Sequence, residues 1–213
     1  MISSSFGDQI RQSLLPEKNC QYAPAEEMLA LKPAAVLIPL VDTKTGLSII
    51  LTTRTQHLHN HAGQISLPGG MRDESDINPV ATALRETNEE IGIPADYIDV
   101  IGSLEHYSTP TGFIITPIIG RIMPGFSLQA DPFEVDEIFM VPLAFLFDEQ
   151  NQQKHIYSGL QKNGTKNTLS YYEFNYGEKR IWGITAAILV NFYKRLKDNH
   201  PLFCELVPQI RSQ

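Results

Sequence analysis

Cysteine is scarce in this chain, with Cys20 and Cys204 the only two among 213 residues. Two thiols do not make a disulfide framework in a sequence of this length, so a reducing, cytoplasmic setting is the simpler expectation. Positive charge is also short. Seventeen Lys and Arg stand against 24 Asp and Glu, a net charge of −7. That balance argues against broad electrostatic attraction to nucleic acid or to an anionic membrane. Long apolar runs are missing as well. The longest, around Ala34 to Val41, is too short to span a bilayer and is interrupted by Pro39. The opening MISSSFGDQIRQSLL has neither a basic start nor a long apolar stretch, and no secretory signal is expected from it. There is one tryptophan, Trp182, which reads as core. Phe6 is isolated, and Tyr171 and Tyr172 read as strand residues, so no aromatic platform for a base is legible.

What remains is the composition of a soluble globular protein, 42% hydrophobic and 19% charged. Its length suits a single domain, residues 1–213, with a short helical or irregular lead-in. Ala34 to Val41 and Leu47 to Thr53 read as strands joined by a turn at Asp42 to Gly46. Tyr97 to Tyr107, Phe113 to Met123 and Glu134 to Val141 are further strands, separated by turn residues such as Pro110, Gly112, Pro124 and Gly125. Lys154 to Leu160 and Thr168 to Phe174 suggest a hairpin around Asn163-Gly164. Ile184 to Leu196 has helical periodicity, with Ile184, Ile188, Phe192 and Leu196 on its buried side. Strands mixed with two substantial helices predict an α+β sandwich.

The densest signal lies in GGMRDESDINPVATALRETNEEIGI, from Gly69 to Ile93. Asn78 and Pro79 form a helix start, and Gly92 followed by Pro94 forms its stop. At about 100° per residue, Glu86, Glu89 and Glu90 share one side of that helix. Val80, Ala83, Leu84, Thr87 and Ile91 form the adjoining, mostly apolar stripe. Carboxylates this close repel, and a hard divalent cation with oxygen ligands offsets such crowding. The plain alternative is a solvated acidic face.

This segment resembles the Nudix box: a glycine, five residues, an acid, seven residues, then Arg-Glu-apolar-any-Glu-Glu-any-Gly-apolar. Arg85-Glu86-Thr87-Asn88-Glu89-Glu90-Ile91-Gly92-Ile93 matches its second half, with Thr87 in place of an aliphatic residue. Gly70 to Asp76 keeps the first spacing, with Asp for the usual Glu, and Asp76 to Arg85 is one residue longer than the pattern. The preceding ILTTRTQHLHNHAGQISLPGG, from Ile50 to Gly70, is similar to the upstream motif of the coenzyme A diphosphatase branch. Arg54, Leu58, His61, Gly63, Gln64, Pro68, Gly69 and Gly70 match it, while Ile50, His59 and Leu67 depart from it. Weaker likenesses begin at Ser108, Glu134 and Arg180.

The resemblance implies a Nudix-like α/β/α sandwich with a mixed β-sheet. It implies Mg²⁺ or Mn²⁺ as cofactor and hydrolysis of coenzyme A or acyl-coenzyme A to 3′,5′-ADP and a 4′-phosphopantetheine product. Glu86 and Glu90 would be direct metal ligands, with the main chain at Gly70 completing the site. Glu89 would ligate as well or accept a proton from water. Arg85 would orient the carboxylates; an ordinary surface ion pair is its alternative.

Arg54, His61 and Arg72 are the candidate substrate contacts, the two arginines through phosphate oxygens. Surface ion pairs are the competing role for both arginines. Asp76 could cap the helix and nothing more, and Glu134 could be either a late carboxylate of the site or an exposed strand charge. His57, His59 and His61 alternate as ligands on one face of a strand would, but zinc needs a closed shell of three or four ligands.

The expected partner is a small nucleoside diphosphate derivative, with no nucleic acid and no membrane, and a homodimer is left open. Rival readings are a Nudix enzyme acting on ADP-ribose, a dinucleotide or a nucleoside triphosphate, and a noncatalytic nucleotide-binding regulator. The regulator would be expected to lack a box glutamate, and all three are present. A plain interaction protein with an acidic helix would show no metal-dependent ligand binding.

Overall fold

A computed structural model describes residues 10–16, 20–23, 31–44, 46–57, 62–160 and 166–199. The chain begins its sheet with two long strands, β1 (Lys32–Thr43) and β2 (Gly46–Arg54). Two short strands follow, β3 (Ile65–Ser66) and β4 (Gly69–Met71), and then helix α1 (Pro79–Ile91). Next come β5 (Ile98–Ser103), β6 (Tyr107–Ser108), β7 (Phe113–Ile122) and β8 (Val135–Pro142). The last part holds a single-turn helix α2 (Leu143–Leu146), strands β9 (Gln153–Leu160), β10 (Lys166–Tyr176) and β11 (Lys179–Trp182), and helix α3 (Gly183–Asn199).

The first eight strands form one mixed sheet built on β3-β2-β1-β7-β5, with β4 on β1, β6 on β7 and β8 on β2. Only β1 and β7 pair in parallel; the other ladders are antiparallel. Strands β9, β10 and β11 form a separate three-stranded antiparallel sheet. The fold is therefore α+β with a mixed sheet, as the sequence predicts.

The long strands are apolar on both faces because both faces are covered. Ala35, Leu37, Val41, Ile50 and Ile118 pack with Val80, Ala83 and Ile91 of α1 in one core. Ile38, Leu40, Ile49, Leu51 and Ile119 pack on the other side with Phe174, Ile181, Leu189 and Phe192 of the second sheet and α3. Side chains alternate across each strand, so adjacent residues serve the two cores.

Pro39 is tolerated inside β1 because of a gap in its neighbours. One side of β1 pairs with β4 at Ala34 to Val36 and with β2 from Leu40 onward. The Leu37 amide meets the Pro68 carbonyl on that side, 2.8 Å away. The missing Pro39 amide faces the same way, between the two pairings.

Several expectations need adjustment. Trp182, read as core, is exposed at the end of β11, and the stretch from Tyr97 to Tyr107 divides into β5 and the start of β6. Helix α3 buries Thr185 to Val190 without interruption, and Ile184 is only partly buried, so its first half is covered all round rather than along one stripe. The predicted hairpin exists as β9 and β10, but its Asn163-Gly164 turn lies outside the described residues. Among the described residues no helix is long and apolar enough to cross a membrane.

Candidate active site

Helix α1 starts and stops where its end residues dictate. The Asn78 side chain accepts from the Ala81 amide at 2.9 Å, and Pro79 occupies the first turn. Gly92 has φ of 73°, a left-handed conformation, and its amide returns to Asn88 O at 3.0 Å. Thr87, where the motif has an aliphatic residue, is fully buried and donates to Ala83 O at 2.6 Å. Its hydroxyl is satisfied inside the helix, so the core accepts it.

The three glutamates divide. Glu90 is buried, 3% exposed, and points at the start of β4; the Gly69 amide donates to its Oε2 at 3.2 Å. Glu86 leans over Gly70, where a Cβ would meet its carboxyl carbon and both oxygens at 2.5 Å. Gly69 needs to be glycine for its own reasons: φ is 152°, and a Cβ would lie 2.4 Å from Ala35 O. Glu89 is the outlying member, 56% exposed in its side chain and held by Arg85 Nη1 at 2.8 Å. The backbone of Gly69-Gly70 and the carboxylates of Glu86 and Glu90 thus face one another.

Two guanidinium groups frame this row. Arg85 Nη1 also reaches Glu86 Oε1 at 2.9 Å, and its Nη2 donates to Met71 O at 3.0 Å. Its Nε and Nη2 donate to the two oxygens of Asp76 at 3.2 and 2.9 Å. Arg54 marks the other end, with Nη1 3.4 Å from Glu90 Oε1 and Nη2 3.7 Å from Glu134 Oε2. A register shift between Thr53 and Arg54 skips one residue of β8, Asp136, so the β2–β8 ladder is irregular where Arg54 leaves it.

Asp76 does not cap the helix; Asn78 does. Asp76 is buried and accepts from the Asp73 amide at 2.8 Å and the Thr82 hydroxyl at 2.9 Å besides Arg85. It is the anchor for Arg85. Burial alone would raise its pKa, but Arg85, the Asp73 amide and Thr82 outweigh that and hold it below the usual carboxylate range.

The two inward glutamates behave differently. Burial pushes Glu86 up, against the lowering effect of Arg85. Burial pushes Glu90 up to about 8, although Arg54 and the Gly69 amide pull it down. In both carboxylates the cost of burying charge outweighs the arginine beside it.

Among the described residues no three acidic, histidine or cysteine side chains already converge as a metal cluster. The donor set nevertheless fits a hard divalent cation: glutamate oxygens, an adjoining main chain with no Cβ in the way, and acids raised by burial. In the present arrangement Arg85 and Arg54 supply the positive charge.

The other predicted residues fall into place unevenly. Arg72 is not part of the carboxylate row: its Nε donates to Asp76 O at 3.3 Å and its guanidinium lies 4.6 Å from the Tyr22 ring centroid. Tyr22 in turn contacts Thr82 Oγ1 at 2.6 Å, a link from the lead-in to α1 that no local pattern announces. Glu134 joins the site through Arg54. His57 is exposed in a turn beyond the end of β2; Leu58, His59 and His61 lie outside the described residues.

Residues 31–159 match the NUDIX domain. NudL of Photorhabdus laumondii, called an uncharacterized Nudix hydrolase, is 38% identical over 156 residues, 73% of this chain and 80% of its own. The protein of that name from Salmonella paratyphi B is 40% identical over 167 residues, 76% of this chain and 82% of its own. A MutT/nudix family protein from Enterococcus faecalis shares the fold, with TM-score 0.50 at 18% identity over 100% of this chain and 76% of that one. On the match over residues 31–159 and these relatives, the chain belongs to the Nudix hydrolase family.

Proposed function

We propose that this Nudix hydrolase cleaves the diphosphate of coenzyme A or its acyl derivatives, releasing 3′,5′-ADP and a 4′-phosphopantetheine product. The observation that carries this reading is the contact of Arg54 with Glu90, 3.4 Å apart. Arg54 belongs to the upstream stretch that is similar to the coenzyme A branch, and Glu90 belongs to the box. The two motifs meet at this one contact, which supports a role for the upstream stretch beside the box. Contacts remote from the scissile bond are what separate substrates that share the same reacting group.

In this reading Glu86 and Glu90, with the Gly70 main chain, hold Mg²⁺ or Mn²⁺. When bound, such a cation neutralises non-bridging phosphate oxygens and acidifies a water. Water oxygen attacks one phosphorus, the bridging P–O bond breaks, and the leaving phosphate carries the electron pair. Glu89, exposed at the outer end of the row, accepts the proton from water. Arg85, fixed by Asp76, keeps Glu86 and Glu89 in position. Arg54 exchanges carboxylate contacts for phosphate oxygens as substrate enters.

The test is a panel of coenzyme A, 3′-dephospho-coenzyme A, ADP-ribose, NADH and nucleoside triphosphates with Mg²⁺ or Mn²⁺, products identified by mass. Coenzyme A is expected to give the highest kcat/KM and 3′,5′-ADP as nucleotide product. A clear lead for ADP-ribose would overturn the coenzyme A assignment and leave the family untouched.

A further inference from the structure

Phe133 stands one residue before Glu134 and is 73% exposed. Exposed aromatics on loose loops are commonplace, but this one is carried on a tightly held main chain. Its carbonyl accepts from the Thr55 hydroxyl at 2.8 Å, and its amide donates to Asp131 Oδ1 at 3.0 Å. The neighbouring Glu134 carbonyl accepts from the Thr55 amide at 3.0 Å. Asp131 and Gln129 donate their amides to the Glu90 and Ile91 carbonyls, both at 3.0 Å. The segment is therefore tied to the end of β2 on one side and to the end of α1 on the other. Those are the two elements that bring Arg54 and Glu90 together.

A large apolar ring left in water is unfavourable, and a backbone fixed at several points gives it no route to bury itself. The same arrangement is what a binding platform requires: position fixed in advance, face open.

We infer that Phe133 is a substrate-binding residue whose ring stacks on the nucleobase of the substrate. The inference rests on the reading of the chain as a hydrolase of a nucleoside diphosphate derivative. The ligand class is a nucleotide with a planar base, held by phosphate at the carboxylate row and by base at this rim. Stacking on an aromatic face tolerates different bases, so Phe133 contributes affinity more than discrimination among them. It touches the substrate away from the reacting bond, so its loss acts on ground state and transition state alike and shows in KM.

The test separates base from phosphate and from the rest of the substrate. Phe133→Ala is expected to raise KM for the best substrate of the panel about tenfold while kcat changes less than about twofold, with Phe133→Trp restoring the lower KM. Inorganic diphosphate should inhibit wild type and Phe133→Ala equally. The added indole fluorescence of Phe133→Trp should be quenched by ADP but not by 4′-phosphopantetheine or inorganic diphosphate.

Weakened inhibition by inorganic diphosphate in Phe133→Ala would mean the substitution acts through Glu134 and Arg54, and would overturn the proposal. Quenching by 4′-phosphopantetheine alone would assign the ring to the apolar arm of the substrate and overturn it equally. If another nucleotide replaces coenzyme A as best substrate yet shows the same KM rise and quenching, the coenzyme A reading fails and the stacking role stands.

Discussion

The carboxylate of Glu86 occupies the space that a side chain at Gly70 would need, 2.5 Å from the position of its Cβ. Gly70 does not adopt a left-handed conformation, so alanine is acceptable to the backbone itself. The clash falls on the far end of a flexible side chain, which can swing away at small cost. Gly70→Ala is therefore expected to keep its melting temperature and lose metal affinity, with the metal concentration for half-maximal activity rising about tenfold or more. Retained metal dependence with normal kcat would show that Glu86 is not a ligand.

Glu90→Gln is expected to abolish most turnover and yet stabilise the metal-free protein. The carboxylate titrates near 4.5 when exposed and at about 8 when folded, chiefly because burial disfavours its charge. Between those values the folded state binds more protons than the unfolded one, so stability falls as pH rises through that window. Glutamine keeps the volume, still accepts from the Gly69 amide, and carries no charge to desolvate. In EDTA at pH 8 the variant should exceed wild type by roughly 1–3 kcal/mol in chemical denaturation, with the advantage disappearing near pH 4.5. A variant less stable than wild type at pH 8 would refute that account of the buried acid.

The helix was legible from end to end because its signals are local. Asn78, Pro79 and Gly92 act through the backbone within a turn, and the apolar stripe needs only the helical period. Glu86 and Glu90 could be placed on one side, but Glu89 could not be separated from them. That difference depends on Gly69-Gly70, which lie across a loop from the helix. Asp76 illustrates the limit more sharply. Its position before a helix predicts a cap, whereas its hydrogen bonds to Arg85, Thr82 and the Asp73 amide are tertiary. Phe133 carried no sequence signal, because an isolated Phe reads as core and only the fixed backbone leaves it in solvent.

Asp76→Asn tests the anchor. The native carboxylate has its pKa lowered by Arg85, the Asp73 amide and Thr82 in spite of burial. Its contribution is present above its unfolded value near 3.8 and is lost as pH falls through the lower folded value. The variant should lose roughly 1–3 kcal/mol at pH 7, since Arg85 is partly exposed and recovers some hydration. The gap between the two melting temperatures should narrow as pH falls below the unfolded value. A gap unchanged at pH 2 would mean that shape, not charge, is what Asp76 supplies.

Arg54→Gln distinguishes two roles for the cation between the motifs. Arg54 is the main side chain lowering the Glu90 pKa against burial. Without it, Glu90 holds its proton to higher pH, and a divalent cation must compete with that proton for the same oxygen. The expected result is weaker metal activation at pH 7, recovered at pH 9 or at higher metal concentration, with the rising limb of the pH–rate profile displaced upward. A direct phosphate contact predicts something else. KM for substrate would then rise at every pH, because a charge-assisted contact made to ground state and transition state alike is gone. Both effects together are expected if Arg54 changes partners during turnover. A normal pH profile with normal KM would remove Arg54 from the site and with it the junction on which the coenzyme A reading rests.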